Sequence, residues 1–262
     1  MFVIVAMLVL VVFAGCKANS GNTDSDLAYI KDKGAITIGI TIYAPMNYYE
    51  GDTLVGFDTE FANALCEKLG VKPEFIEINW DTKEAELAAK NIDCIWNGLT
   101  VTEERRENME FTTSYLLNRQ VAVIRVADSG KYTSLESLKD ARLCAETGSA
   151  GETAIAYNEV IGRADYTAMA KQTDTLMEVK AGTSDAAVLD YTAAKTLVGA
   201  GTSYSDLMIL ESVELAPEEY AIGFRLGSNA VPEVNKLIDG LFKDGTLAYI
   251  AAKYDLTDLL PR

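Results

Sequence analysis

The sequence predicts an α/β fold in which helices cover a largely parallel sheet. The main observation is the order of elements between residues 35 and 95, where strand-like segments alternate with segments of helical spacing. A strand that is followed by a helix and then by another strand normally returns parallel to the first. The length agrees with this class, because 262 residues with 49% hydrophobic content can form one large core or two modest ones.

The first strands each deliver an aromatic residue to their end. Residues 35–42 alternate isoleucine with Thr or Gly, which predicts a strand with one buried face, and Tyr43 follows it. Residues 56–70 carry apolar residues at helical spacing between two glycines, and they predict a helix. Residues 74–78 predict the next strand, which leads to Trp80. From the pattern alone, both aromatic residues fit either the core or a ligand contact.

A predicted helix over residues 82–90 leads to residues 92–106, where a short buried strand passes into a helix through a polar turn. A glycine in such a turn lets a ligand approach the backbone, and an arginine presents a planar fork of donors to a carboxylate. The stretch predicts a site for a small anion, although a surface arginine beside an ordinary turn is the alternative. Its candidate residues are Asn97, Gly98, Thr100 and Arg105.

A second small-residue turn lies in the other half of the chain. Residues 119–126 and 143–146 predict strands, and Glu146 ends the second of them. Residues 147–151 then precede a helix, so they expose backbone N–H groups at the positive end of the helix dipole, where an anion binds. The turn lacks the lysine pattern of a nucleotide-phosphate loop. Glu146 itself is either a ligand contact or a solvated carboxylate.

Residues 186–190 predict a buried strand that ends in a carboxylate. Asp190 is followed by a predicted helix over residues 191–198. Aspartate is a preferred N-cap residue, so a capping role is the alternative to a ligand contact at this position.

The bulk composition excludes several classes of function. The net charge of −16 disfavours nucleic-acid binding, because an acidic surface repels a phosphate backbone. The chain has no histidine, which excludes a Ser-His-Asp or Cys-His catalytic apparatus and a zinc site with histidine ligands. Catalysis by carboxylate, lysine or tyrosine stays open, and no cofactor or metal is predicted.

Residues 93–106 resemble the Asp-x-x-x-x-Gly-x-Thr-x-Thr-x-x-Arg signature of extracellular solute-binding proteins for amino acids. The resemblance extends from residue 34 to the C-terminus, including a Ser-Leu-x-x-Leu-Lys helix over residues 132–139 and a Glu-Glu-Tyr-x-Ile-Gly-Phe stretch from Glu218. It implies the type II periplasmic-binding fold, in which two Rossmann-like lobes joined by two strand crossovers close on a hinge. The implied lobes are residues 27–122 with 218–262, and residues 123–217, with the first crossover near Val123 and closing helices over residues 234–254.

The same resemblance implies a role for each candidate residue. Arg105 would hold the α-carboxylate of an amino acid, and Asp190 would pair with its α-ammonium. The remaining residues would complete the pocket: Tyr43 and Trp80 around the side chain, Glu146 facing it, Ser149 and Ala150 over the carboxylate, and Asn97, Gly98 and Thr100 in the wall. Thr41 stands near the position where the family often has an acidic residue, which weakens the case for an ionic contact from that edge.

The N-terminus predicts export and anchoring. Residues 1–15 contain an apolar run that is shorter than a spanning helix, so they predict a signal peptide. Residues 13–16 resemble a bacterial lipobox, which makes Cys16 the lipidated residue, and residues 16–26 read as a flexible tether. Cys66, Cys94 and Cys144 are predicted to be buried free thiols, since each lies in an apolar or helical pattern.

Together these features predict a binding protein that is not an enzyme. It would bind a polar L-amino acid and deliver it to an ABC transporter permease by hinge closure. It would be a monomer, anchored through the N-terminal lipid to the outer face of the bacterial cell membrane, with no nucleic-acid partner. The alternatives are an enzyme that resembles cyclohexadienyl dehydratase, with Glu146 as the general acid, and an amino-acid sensor.

Overall fold

The computed structural model describes residues 26–261, in which the strands form two five-stranded sheets and a two-stranded ribbon. The strands are β1 (Ala35–Ile40), β2 (Tyr48–Glu50), β3 (Thr53–Val55), β4 (Lys72–Glu77), β5 (Cys94–Ile95), β6 (Met109–Phe111), β7 (Leu116–Arg125), β8 (Arg142–Glu146), β9 (Asp165–Met169), β10 (Ala186–Asp190), β11 (Leu207–Tyr220) and β12 (Gly223–Arg225). The helices are α1 (Asp26–Lys33), α2 (Phe57–Leu69), α3 (Lys83–Ala88), α4 (Glu103–Arg106), α5 (Ala150–Ala156), α6 (Gln172–Ala181), α7 (Tyr191–Leu197), α8 (Val231–Lys243) and α9 (Thr246–Lys253). The predicted α/β class is confirmed.

The first sheet has the spatial order β4–β1–β5–β12–β6. As predicted, β1 runs parallel to β4 and β5, whereas β12 is antiparallel to β5 and β6. All residues of β1 are buried, so the prediction of a single buried face was wrong. Parallel strands of α/β proteins are normally covered on both faces and have no solvent side. Gly39 on β1 makes room for Ile92, whose Cδ1 would lie 2.6 Å from a Cβ added there.

The second sheet has the order β11–β7–β10–β8–β9. In this sheet β8 is parallel to β9 and β10, and β7 is antiparallel to β10 and β11. The helix expected over residues 132–139 is only a 3-10 turn, Glu136–Leu138. The Ser137 hydroxyl accepts from the N–H groups of Thr133 and Ser134 at 3.0 and 3.1 Å, and such local bonds compete with a helix.

The chain passes between the sheets twice. It leaves the first sheet at Phe111 and enters the second at Leu116, and it returns between Tyr220 and Gly223. Val123, where the first crossover was expected, pairs with β10 inside the second sheet. The domain boundaries stay predictions, and the strand register favours an earlier first boundary. The first lobe below means the first sheet with its helices, and the second lobe means the second sheet with its helices.

The last helices of the chain belong to the first lobe, where α8 and α9 pack against α2. Tyr254 extends this contact, because its hydroxyl donates to the Glu60 carboxylate at 2.6 Å. The core beneath α2 is aromatic, with the Phe61 ring edge-on to Trp96 at 4.8 Å between centroids. The helices α2, α8 and α9 therefore share one hydrophobic core.

Cys66, Cys94 and Cys144 are buried and free, as predicted. Within residues 26–261, every helix is too short or too polar to cross a membrane. The predicted signal peptide, Cys16 and the tether up to residue 25 lie outside the described residues. Asp26, expected at the end of the tether, instead begins α1 and pairs with Arg225 at 2.9 Å.

Candidate functional site

The residues predicted to bind a ligand line one small cavity of about 10 Å³ between the two lobes. The carboxyl ends of β1, β4, β5, β8 and β10 converge there, as expected for a ligand site in an α/β fold. The predicted residues in the lining are Tyr43, Trp80, Asn97, Gly98, Thr100, Arg105, Glu146, Ser149, Ala150 and Asp190. Thr41 and Gln172 complete it.

Arg105 is a buried cation in α4, a helix whose N-cap is Thr102. Its guanidinium donates to the carbonyl of Thr100 at 2.7 Å and to the carbonyl of Gly148 in the second lobe at 3.1 Å. The residue is 6% exposed, and no carboxylate within the described part of the chain lies within ion-pair distance of it. Burial lowers the pKa of Arg105. A buried guanidinium that hydrogen-bonds to carbonyls has donors left for an anion.

Asp190 presents a buried carboxylate from the second lobe. It stands at the N-cap position of α7, but its side chain makes no capping hydrogen bond, so the capping alternative was wrong. Its Oδ1 accepts from Asn118 Nδ2 at 2.8 Å and Gln120 Nε2 at 2.6 Å, and its Oδ2 accepts from Gln172 Nε2. Burial is the main cause that raises the pKa of Asp190. The amide donors aim the carboxylate at the cavity.

Glu146 is a second buried carboxylate in the lining, and it is 4% exposed. The alternative of a solvated strand-end carboxylate was therefore wrong. No described residue donates a hydrogen bond to its carboxylate, in contrast to Asp190. Burial and then the charge of Asp190 raise the pKa of Glu146 to about 8. A buried carboxylate without a protein donor is suited to a ligand that supplies one.

Tyr43 and Trp80 are both buried at the ends of their strands. The Tyr43 hydroxyl shares hydrogen bonds with Thr192 at 2.6 Å and Tyr220 at 3.0 Å, which fixes its ring in the wall. Gly98 has a φ of +57° beneath that ring, and an added Cβ would lie 2.9 Å from Tyr43 Cε1. Glycine is therefore required both for the left-handed backbone and for the close approach of the ring.

The polar groups of the turn after β5 mostly bond to the protein. Asn97 Oδ1 accepts from the Thr41 N–H at 3.0 Å, and its Nδ2 donates to Thr41 Oγ1 at 2.7 Å. The Gly98 N–H donates to a buried carboxylate of Asp58 at 2.7 Å, and Thr100 Oγ1 donates to Glu218 at 3.1 Å. These residues shape the wall, and their contact with a ligand stays a prediction.

The turn of the second lobe closes over the cavity beside Arg105. Ser149 is the N-cap of α5, and its Oγ accepts from the Glu152 N–H at 3.1 Å. The Gly148 N–H donates to the Glu152 carboxylate at 2.7 Å, and the Gly148 carbonyl accepts from Arg105. Ser149 and Ala150 thus lie next to the guanidinium, as the carboxylate role requires.

Known proteins share this architecture. The family of bacterial extracellular solute-binding proteins, family 3, matches residues 36–257. This chain belongs to that family. The L-cystine-binding protein TcyJ of Escherichia coli (strain K12) is 25% identical over 254 residues, which cover 96% of this chain and 94% of that protein. The arginine-binding extracellular protein ArtP of Bacillus subtilis (strain 168) is 28% identical over 249 residues, which cover 93% of each.

A solved structure extends the comparison to three dimensions. An ABC uptake transporter substrate-binding protein from Streptococcus pneumoniae with bound histidine is 30% identical and aligns with a TM-score of 0.82. The alignment covers 93% of this chain and 100% of that one. The predicted two-lobe, type II periplasmic-binding fold is confirmed.

The structure also adds residues to the site of this solute-binding protein that the sequence analysis missed. Asn118 and Gln120 point from β7 toward two carboxylates, and each donates to both Asp190 Oδ1 and Glu218 Oε2, at distances of 2.6–3.1 Å. Two polar residues spaced two apart in a β-branched strand were a signal for this pair. Gln172 offered no signal, because it meets Asp190 only through the packing of α6 against β10.

The arrangement offers one cationic and two anionic groups to a molecule held between the lobes. Arg105 comes from the first lobe, and Asp190 and Glu146 come from the second. Within residues 26–261 there is no cluster of three or more Cys, Asp or Glu side chains that could hold a metal ion. The three charged groups can pair with a ligand that carries both a negative and a positive charge.

Proposed function

We propose that this solute-binding protein binds an L-amino acid with a cationic side chain and delivers it to an ABC importer by hinge closure. One observation carries the proposal: a buried guanidinium without a carboxylate partner shares a cavity with two buried carboxylates. An amino acid is a zwitterion, so burying it is costly unless each charge meets a partner. Arg105 suits the α-carboxylate, and Asp190 suits the α-ammonium. A ligand that bridges them favours closure.

Glu146 supports the cationic side chain. With the α-groups assigned to Arg105 and Asp190, Glu146 is the remaining charged group in the lining, and it has no hydrogen-bond donor from the described residues. A guanidinium or ammonium supplies both the donor and the charge that a buried carboxylate needs. The acidic residue that the family often has near Thr41 is absent, so the ionic contact comes from the opposite lobe. The aromatic rings of Tyr43 and Trp80 suit a guanidinium as well.

L-Cystine is the second candidate, because a relative that matches nearly the whole chain is named an L-cystine-binding protein. Its second ammonium would suit Glu146. Its second carboxylate would lie in the same part of the cavity, where Asp190 and Glu146 repel it. The charges of the lining therefore favour a basic amino acid, as the name of the arginine-binding relative also does.

An enzyme on the same fold would need a general acid, and Glu146 with its raised pKa is the candidate. We favour a binding role, because the relatives reported above are named as binding proteins. Incubation with arogenate or prephenate separates the two roles, since a binding protein returns either compound unchanged. Conversion that is lost in Glu146→Gln would establish the enzyme. A sensor role would instead require a signalling protein that binds the closed form of this protein.

The anchoring part of the proposal concerns Cys16. The apolar run of residues 2–13 and the lipobox-like residues 13–16 support a signal peptide and a lipidated cysteine. The protein would then be held, as a monomer, at the outer face of the cell membrane, next to its permease. Mass spectrometry of the mature N-terminus tests this, and Cys16→Ala should release the protein into the medium.

Calorimetry with L-arginine, L-lysine, L-glutamine, L-histidine and L-cystine tests the ligand class. We expect the basic amino acids to bind most tightly and to raise the melting temperature, because they bind only the folded state. At one hundred times the Kd, a ligand stabilises the fold by about 2.7 kcal/mol. Equal or tighter binding of L-glutamine would overturn the cationic assignment, and tighter binding of L-cystine would select the second candidate.

A further inference from the structure

Lys83 is a buried cation that the binding site described above leaves unused. The residue is 4% exposed and begins α3, next to the cavity but outside its lining. Its Nζ donates to the carbonyl of Trp80 at 3.2 Å and to the carbonyl of Gly148 at 3.0 Å. It also lies 5.0 Å from the centroid of the Trp80 ring. Among residues 26–261, no carboxylate lies within ion-pair distance of it.

The carbonyl oxygen of Gly148 brings Lys83 and Arg105 together. Arg105 Nη2 donates to this oxygen at 3.1 Å and Lys83 Nζ at 3.0 Å, so the cations lie within about 6 Å of each other. Burial and then the charge of Arg105 lower the pKa of Lys83 to about 8. The two cations belong to the first lobe and Gly148 to the second. Closing the cleft without a ligand therefore buries two like charges side by side.

We propose that Lys83 is the second cation of the carboxylate subsite, and that it makes closure depend on the negative charge of the ligand. The proposal rests on the proposed function, in which Arg105 holds the α-carboxylate. A carboxylate at Arg105 offsets both positive charges, so the closed cleft becomes favourable only when it is occupied. Lys83 is a specificity-determining residue in this scheme, and it acts through Gly148 and the field at the subsite.

The charged groups around Lys83 modulate this effect. Arg105 opposes the charge of Lys83, whereas Glu84, Glu146 and Asp81 favour it from a distance. Glu104 and Glu152 line the recess of about 440 Å³ beside it. Burial in the closed cleft lowers the pKa of Lys83, so closure releases a proton from Lys83 when the pH lies between about 8 and its ordinary pKa of 10.5. Closure without a ligand should therefore become easier as the pH rises above about 8, whereas the raised pKa of Glu146 affects closure only below about 8.

Calorimetry with L-arginine and L-argininamide tests the carboxylate dependence. The amide keeps the ammonium and the side chain but lacks the negative charge. We expect Lys83→Met to reduce the ratio of the affinity for the acid to the affinity for the amide on the order of tenfold. The reason is that a cation within about 6 Å of Arg105 interacts appreciably with the carboxylate that Arg105 holds. Lys83→Arg should keep the wild-type ratio. Lys68→Met is the matched control. Lys68 lies away from the cleft and forms an exposed ion pair with Asp244, with 2.9 Å between Nζ and Oδ2.

Small-angle scattering without a ligand gives an independent readout. The radius of gyration of the wild type should decrease between pH 8 and 10, and Lys83→Met should be more closed at pH 8 and change little over that range. Thermal unfolding checks that each variant is folded, and Lys83→Gln replaces Lys83→Met if that variant is not. An unchanged acid-to-amide ratio in a folded variant overturns the role of Lys83 alone. If the wild type binds no amino acid, the proposed function fails, and scattering curves that are the same for wild type and variant at both pH values overturn the Lys83 proposal separately.

Discussion

Replacing Glu146 by glutamine tests the ligand class most directly, because the two side chains have nearly the same shape and differ in charge. Glu146 is 4% exposed and receives no hydrogen bond from the described residues, so a ligand cation would be its main partner. Loss of one partner from a buried, hydrogen-bonded charge pair costs about 2–5 kcal/mol. Glu146→Gln should therefore weaken L-arginine roughly 30-fold or more in calorimetry, since 1.4 kcal/mol is a factor of ten. The affinity for L-glutamine should change much less, because its side chain carries no charge that could pair with Glu146.

The same substitution predicts a change in pH dependence. Burial in the closed cleft raises the pKa of Glu146 to about 8, and a cationic side chain beside it would depress that pKa, so the complex with L-arginine holds fewer protons below that pH than the complex with L-glutamine. The preference of the wild type for L-arginine over L-glutamine should therefore fall as the pH drops from 8 to 6, by up to about tenfold per pH unit. The preference of Glu146→Gln should not show this fall. If Glu146→Gln binds L-arginine as tightly as the wild type at pH 8, the assignment of Glu146 to the side chain is wrong.

Three further substitutions test the other walls of the cavity. Arg105→Ala should weaken binding by about 2–5 kcal/mol, because the ligand carboxylate would be buried without a partner. If calorimetry gives the variant an affinity near that of the wild type, Arg105 does not bind the carboxylate. Asp190→Asn should weaken binding at least about tenfold while the melting temperature of the empty protein changes little, since the charge that pairs with the ammonium is lost but the shape is kept. An unchanged titration would place the ammonium elsewhere. Gly98→Ala should lower the free energy of unfolding by about 1–3 kcal/mol in a denaturant titration, because a Cβ at a φ of +57° would lie 2.9 Å from the Tyr43 ring. A stability equal to wild type would show that the ring moves away freely.

Local patterns predicted the elements that depend on local physics. The helix after Gly56 ends in a left-handed Gly70, and its apolar residues face the core, as their spacing required. Thr102 caps α4 through its hydroxyl, as the Thr-Glu-Glu pattern indicated. One failure has a local cause as well, since one serine hydroxyl that bonds its neighbours reduced the helix expected over residues 132–139 to a single turn.

The roles of the ten site residues came from family resemblance rather than from pattern, because residues such as Tyr43, Arg105 and Asp190 have ordinary alternatives when each is read alone. The resemblance was enough to group them, since the order of strands determines which strand ends converge. It did not include Gln172, Asn118 or Lys83. Asn118 and Gln172 bond to Asp190, and Lys83 bonds to the Gly148 carbonyl, and these contacts join segments that are far apart in sequence.

The sequence by itself determined the α/β class, the family and the residue types that face the cleft, because these follow from spacing along the chain and from motif identity. The tertiary structure alone decided the electrostatic state of those residues. Burial and the donors supplied by distant segments leave Glu146 without a donor, surround Asp190 with amides and place Lys83 beside Arg105. The physical reason is that the cost of a buried charge depends on its neighbours in space, and the order of the residues in the chain does not reveal them.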